Sequence, residues 1–212
     1  MRFGNFSLMI PEGRERDSGH VVLSHGQMYT LRLGNHCYRR RCDATVFVDG
    51  KEVGCFRLSA GQIWTIERPA HDTGRFTFFR SDSAEAATAG VGAVKQEDRG
   101  LVHVVFRPEL CREEKRSGPL PREIFESHIS VDQPQFLMRS CNADAPKNLS
   151  SGITGLTGQS RQTFRDVPAL DYDPDGETVI TLRLVSERLP VAEPVRPLTA
   201  TPRCSPVPAA VD

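Results

Sequence analysis

Three groups of residues have side chains and spacing suited to chemistry. The first is GQIWTIERPAHDTGRFTFF, where Trp64, His71, Asp72 and Arg75 bring an aromatic face, an imidazole, a carboxylate and a guanidinium within a dozen residues. Such aromatic-plus-polar sets suit recognition of a sugar or a peptide. A plainer origin exists for each: Trp64 alternates with Ile63 on an expected strand, and Asp72 lies between Pro69 and Gly74, where it can cap a turn. The second group, Arg39-Arg40-Arg41, is a concentrated patch of positive charge for an anion or an acidic partner, or a solvated loop. The third is His36, Cys37, Cys42 and Cys55. Zinc takes four N/S ligands, usually from two short-spaced pairs. Only Cys37 and Cys42 form such a pair here, so no metal is expected and the cysteines read as small hydrophobes.

Catalytic patterns are wanting. Ser160 in Gly158-Gln159-Ser160-Arg161-Gln162 lacks the closing glycine of a nucleophile elbow. Gly152–Gly158 (GITGLTG) lacks the Lys-Ser/Thr ending of a phosphate-binding loop. The carboxylates are scattered without a recognisable pair. Hence no catalytic, cofactor-binding or metal residue is assigned, and no cofactor is expected.

Bulk properties narrow the class further. Lys+Arg and Asp+Glu both number 27 in 212 residues, so no basic excess recruits nucleic acid. Apolar runs are only a few residues long, far short of a membrane span. The first twenty residues lack the apolar stretch of a signal peptide, which predicts an intracellular protein whose six cysteines are reduced thiols.

The elements that must position these residues read as strands. Short β-branched and aromatic runs broken by Gly, Asp, Asn and Pro recur at Phe3–Ile10, Val21–Ser24, Met28–Leu33, Cys42–Val48, Glu52–Leu58, Ile63–Glu67, Arg75–Arg80, Leu101–Arg107, His128–Val131, Gln159–Val167 and Thr178–Ser186. In the last, Ile180, Leu182 and Leu184 alternate with Val179, Thr181, Arg183 and Val185, the pattern of a strand covered on one face. Asp49-Gly50 between two alternating runs marks a hairpin. A three-residue loop with a bulge is favoured over a two-residue loop, because it puts Cys42, Ala44, Val46, Phe56 and Leu58 on one core face. Helix signals are thin: Ser83–Ala93 is Ala-rich but broken by Gly90 and Gly92, and Glu109–Lys115 and Arg122–Ser127 allow a turn or two each. NLSSGITGLTGQSRQTF reads as a flexible Gly/Ser/Thr loop or a surface ribbon able to pair with another chain. Six of the fifteen prolines fall between Pro190 and Pro208, so residues 187–212 read as a disordered Pro-rich tail carrying a bare PxxP at Pro194–Pro197.

The segments RCDATVFVDGKEVGCFRL, IERP, RFTFF, TGLTGQSRQTFRDV and TVITLRLV together resemble uncharacterised β-rich proteins of large DNA viruses of amoebae and of some protists. The resemblance spans about residues 20–107 and 150–186, transfers no catalytic residues, and implies a jelly-roll-like module, a virion or assembly component. Residue pattern and resemblance give one fold class: an all-β, antiparallel β-sandwich over residues 1–186, with a division near 117 as the alternative. The expected function is that of a non-enzymatic structural or assembly protein, its partner another protein and most simply a further copy in a homo-oligomer, with no nucleic acid and no membrane. A carbohydrate- or peptide-binding module is the first alternative, and an enzyme of unknown class the second.

Overall fold

The computed structural model describes residues 1–16, 19–110 and 149–187. Along the chain run β1 (Arg2–Phe3), β2 (Phe6–Met9), β3 (Arg14–Glu15), β4 (His20–Val22), β5 (Gln27–Met28), β6 (Leu31–Asn35), β7 (Cys42–Val48), β8 (Lys51–Leu58), β9 (Ile63–Ile66) and β10 (Arg75–Arg80). There follow a one-turn helix α1 (Ala84–Thr88), β11 (Leu101–Pro108), β12 (Leu149–Thr157) and β13 (Thr178–Glu187). They form two packed sheets, an antiparallel β-sandwich with one parallel pair, β4 on β13. The smaller sheet has the order β1-β2-β6-β9; the larger has β5-β10-β12-β13-β11-β7-β8, with β4 and β3 beside β13.

The core sits between the sheets and is built from alternate residues. Val102, Val104 and Phe106 of β11 and Ile180, Leu182 and Leu184 of β13 are fully buried. Leu8, Leu31, Leu33 and Ile66 face them from the smaller sheet. Phe6 of one sheet stacks on Phe106 of the other, with ring centroids 4.8 Å apart.

The β7–β8 hairpin keeps the expected core face by a different device. Asp49 and Gly50 both have positive φ (52° and 75°), giving a two-residue turn that pairs Val48 with Lys51. A bulge after Val46 then absorbs one residue, and from Val46↔Gly54 onward even positions pair with even. Cys42, Ala44, Val46, Phe56 and Leu58 are accordingly buried together.

Two segments differ from expectation. The Gly/Ser/Thr ribbon is not a loop but β12, which pairs within the chain: Leu149–Ser151 with β13, then Gly152–Thr157 with β10. Its glycines are packing positions, since a Cβ on Gly152 would collide with the Phe78 ring and one on Gly155 would lie 2.7 Å from Phe79 Cε2. Conversely, Gln159–Val167 forms no strand. There the Gln162 side chain does a strand's work: its amide oxygen accepts from Glu67 N at 3.0 Å and its amide nitrogen donates to Thr65 O at 2.8 Å. The Ala-rich stretch supplies α1, capped by Ser83 and followed by a 3₁₀ turn at Val91–Ala93. The boundary near 117, the expected elements Arg122–Ser127 and His128–Val131, and the Pro-rich tail beyond Glu187 lie outside the described residues. So do Cys111, Cys141 and Cys204.

Candidate cleft beside strand β12

The β7–β8 turn, the distal half of β12 and α1 enclose an open cleft of about 740 Å³, within the roughly 300–1,000 Å³ usual for ligand sites. Its floor is apolar, formed by Phe76, Phe79, Val94 and Ile153, while Val53 and Leu156 stand partly exposed along its walls. Polar and charged groups ring the mouth: Lys51, Glu52, His71, Asp72 and Glu85, all exposed.

Asp49 holds the cleft together. It is 6% exposed, yet neither carboxylate oxygen lacks a donor: Oδ1 accepts from Gly100 N at 2.6 Å and Oδ2 from Thr154 N at 2.7 Å. One side chain thus ties the hairpin tip to the start of β11 and to the middle of β12. Burial pushes the carboxyl up to about 6 against the downward pull of these two N–H groups. Just behind, Tyr29 Oη and Thr154 Oγ1 share a hydrogen bond of 2.8 Å, and burial raises the phenol well above its ordinary range.

The sequence quartet is divided. His71 and Asp72 lie at the mouth of this cleft, where Asp72 Oδ1 caps the turn by accepting from Gly74 N at 2.7 Å. Trp64 does not join them. It belongs to an aromatic trio with Phe56 and Phe164 that lines a separate cleft of about 670 Å³. There the Arg68 guanidinium covers the Phe164 ring at 4.4 Å, so much of the aromatic surface is already engaged. Arg75 faces Glu67 at 3.8 Å and lines neither cleft.

The arginine run is mostly spent on internal pairing. Arg40 binds Asp173 at 2.6 Å, and Arg41 grips Glu109 with Nε donating to Oε2 at 2.9 Å. Arg39 is exposed, and the three border a polar hollow of about 440 Å³ with Leu110 and Asp171. The four candidate zinc ligands do not converge: Cys42 is fully buried on the inner face of the hairpin, Cys55 is exposed on the outer, and His36 Nε2 is bonded to Ser7 Oγ at 2.9 Å. Among the described residues, no group of three or more His, Cys, Asp or Glu side chains is placed to hold a metal ion, and no helix is long and apolar enough to cross a membrane.

The chain matches no family model, no curated protein and no solved structure. The cleft is therefore read from its own chemistry. Asp49, Ile153, Thr154 and Leu156 are the residues that sequence reasoning passed over. The sequence offered only partial signals, an Asp-Gly turn and a glycine at every third position from Gly152 to Gly158; the pairing that gives them their roles appears only in the fold.

Proposed function

We propose that this chain is a non-enzymatic protein-interaction module whose binding site is the cleft beside β12. One observation carries the reading: an apolar floor opens beneath a charged mouth, and Asp49, the one buried carboxylate of the cleft among the described residues, already has both oxygens occupied by backbone N–H groups. A carboxylate so engaged is poor at moving protons to or from a substrate, and among the described residues the cleft lining includes neither serine nor cysteine. Apolar anchors with a polar rim suit a polypeptide better than a sugar, whose hydroxyls need many directed partners and an open aromatic face. Here the aromatic trio lies elsewhere, with its Phe164 ring covered by Arg68.

The test is a binding screen of the full chain against an array of extended peptides and a panel of oligosaccharides. Binders are then measured on Val53→Glu and Leu156→Glu, which put charge on the cleft walls. Peptide binding weakened by both substitutions is expected. Binding of oligosaccharides alone, or peptide binding indifferent to both, overturns the proposal.

A further inference from the structure

Strand parity makes the distal edge of β12 unusual. Residues Gly152–Thr157 pair with β10 through Arg75↔Thr157 to Arg80↔Gly152, and Ser81 N donates to Ser151 O at 3.2 Å. In an antiparallel ladder this makes the odd-numbered residues the hydrogen-bonded partners of β10 and turns the N–H and C=O of Thr154 and Leu156 to the opposite edge. The Asp49 carboxylate takes the Thr154 N–H. Among the described residues, no strand lies beside β12 on that edge beyond Ser151. Among the described residues the Thr154 C=O and both Leu156 backbone groups therefore open onto the 740 Å³ cleft. Other edges are closed more fully: Gln162 covers Thr65 and Glu67 next to β9, and Val53 C=O of β8 accepts from Ala70 N at 2.8 Å.

The mouth adds a charge preference. Among the described residues, Glu52, Asp72 and Glu85 give three negative charges against one from Lys51, a formal −2 with histidine counted as neutral. Glu85 also faces His25 Nε2 at 3.6 Å. A visiting segment should carry cations flanking apolar side chains, the latter meeting Val53 and Leu156.

We infer that β12 receives an extended, lysine- or arginine-bearing segment of a protein partner, which adds as a strand along Thr154–Thr157 in the cleft. The inference rests on the reading of the cleft as a protein-interaction site and specifies how that site is used. Main-chain hydrogen bonds then supply affinity, and the rim carboxylates select basic sequences.

Three synthetic peptides probe it by fluorescence anisotropy with the full chain: one alternating valine and threonine between terminal lysines, its glutamate counterpart, and an N-methylated copy of the lysine peptide. They are titrated onto the unmodified protein, Leu156→Ala and Leu156→Pro. Leu156→Pro deletes the N–H turned to the cleft but leaves the β10 ladder its donors. Expected results are tighter binding of the lysine than the glutamate peptide by about tenfold, weakening with salt, loss of binding on N-methylation, and affinity at Leu156→Pro about fivefold or more below Leu156→Ala. Equal affinity at Leu156→Pro and Leu156→Ala overturns strand addition while leaving the interaction reading intact, and so does undiminished binding of the N-methylated peptide should the proline variant fail to fold. A preference for glutamate overturns the basic partner. Rejection of all three peptides by a chain that binds others from the array overturns the inference alone; self-association through this edge in place of peptide binding replaces the partner with a second copy and also overturns it.

Discussion

Replacing Asp49 with asparagine should change how stability responds to pH. Asp49 sits at φ 52° in the hairpin turn, a conformation that asparagine tolerates, so Asp49→Asn keeps the turn and the side-chain shape. It removes a proton-binding site and one of the two acceptor oxygens, the latter a loss that does not vary with pH. The folded carboxyl titrates near 6, pushed up by burial, whereas the unfolded chain returns it to about 3.8. Between those values the folded chain holds a proton that the unfolded chain has lost, so stability falls as pH rises: this contribution is complete below about pH 4 and gone above about pH 6. Two pKa units and a little more, at about 1.4 kcal/mol each, make it about 3 kcal/mol, a sizeable part of the roughly 5–15 kcal/mol that holds a domain together. Urea unfolding followed by the fluorescence of Trp64, the chain's one tryptophan, reads it directly. The stability of the unmodified protein minus that of Asp49→Asn should rise by about 3 kcal/mol between about pH 7 and pH 4. Taking the difference cancels the carboxylates common to both. A pH-independent difference would show that the Gly100 and Thr154 N–H groups balance burial, and one that shrinks on acidification that they outweigh it; either would refute the reasoning.

Other substitutions probe the packing around the cleft. Gly152→Ala drives a methyl into the Phe78 ring and to 2.7 Å from the Phe79 carbonyl oxygen; a loss of about 2–3 kcal/mol in urea unfolding is expected, and unchanged stability would contradict the close approach. Asp43, 5% exposed, is gripped by Arg57 through Nε at 2.6 Å and accepts from Tyr172 Oη at 2.8 Å. Asp43→Asn should therefore destabilise by about 2–3 kcal/mol. It should also lower the titration of Tyr172, now pushed up to about 12 by burial and then by Asp43, as read by ultraviolet absorbance. Phe164→Ala should open the Trp64 face and increase collisional quenching of its fluorescence; unaltered quenching would place Trp64 outside the trio.

The architecture was legible wherever alternation was regular. Cys42–Val48 and Arg75–Arg80 run between the expected limits, and Ile180, Leu182 and Leu184 form the buried row that their spacing announces. β12 was missed because glycine normally weakens a strand, and only the fold reveals that Phe78 and Phe79 occupy the space its side chains would need. Gln159–Val167 was over-read for the opposite reason: its residues favour strands, but one glutamine side chain satisfies the β9 edge and leaves the backbone irregular. Of the candidate site, His71 and Asp72 were legible as neighbours in a loop. The separation of Trp64 from them was not, since nearness in sequence says nothing about which side of a sheet edge a side chain meets. Asp49 was read as a turn residue; its second role, bonding strands contributed from far along the chain, depends on contacts that no local pattern encodes.

Amide hydrogen exchange across β12, with the chain free and then saturated with the lysine peptide, bears most directly on partner binding at the cleft. Ile153, paired with Phe79, should be protected in both states, while the Leu156 amide should exchange rapidly when free and slow markedly when bound. Slowing confined to the Trp64–Phe164 region, with Leu156 unchanged, would contradict it.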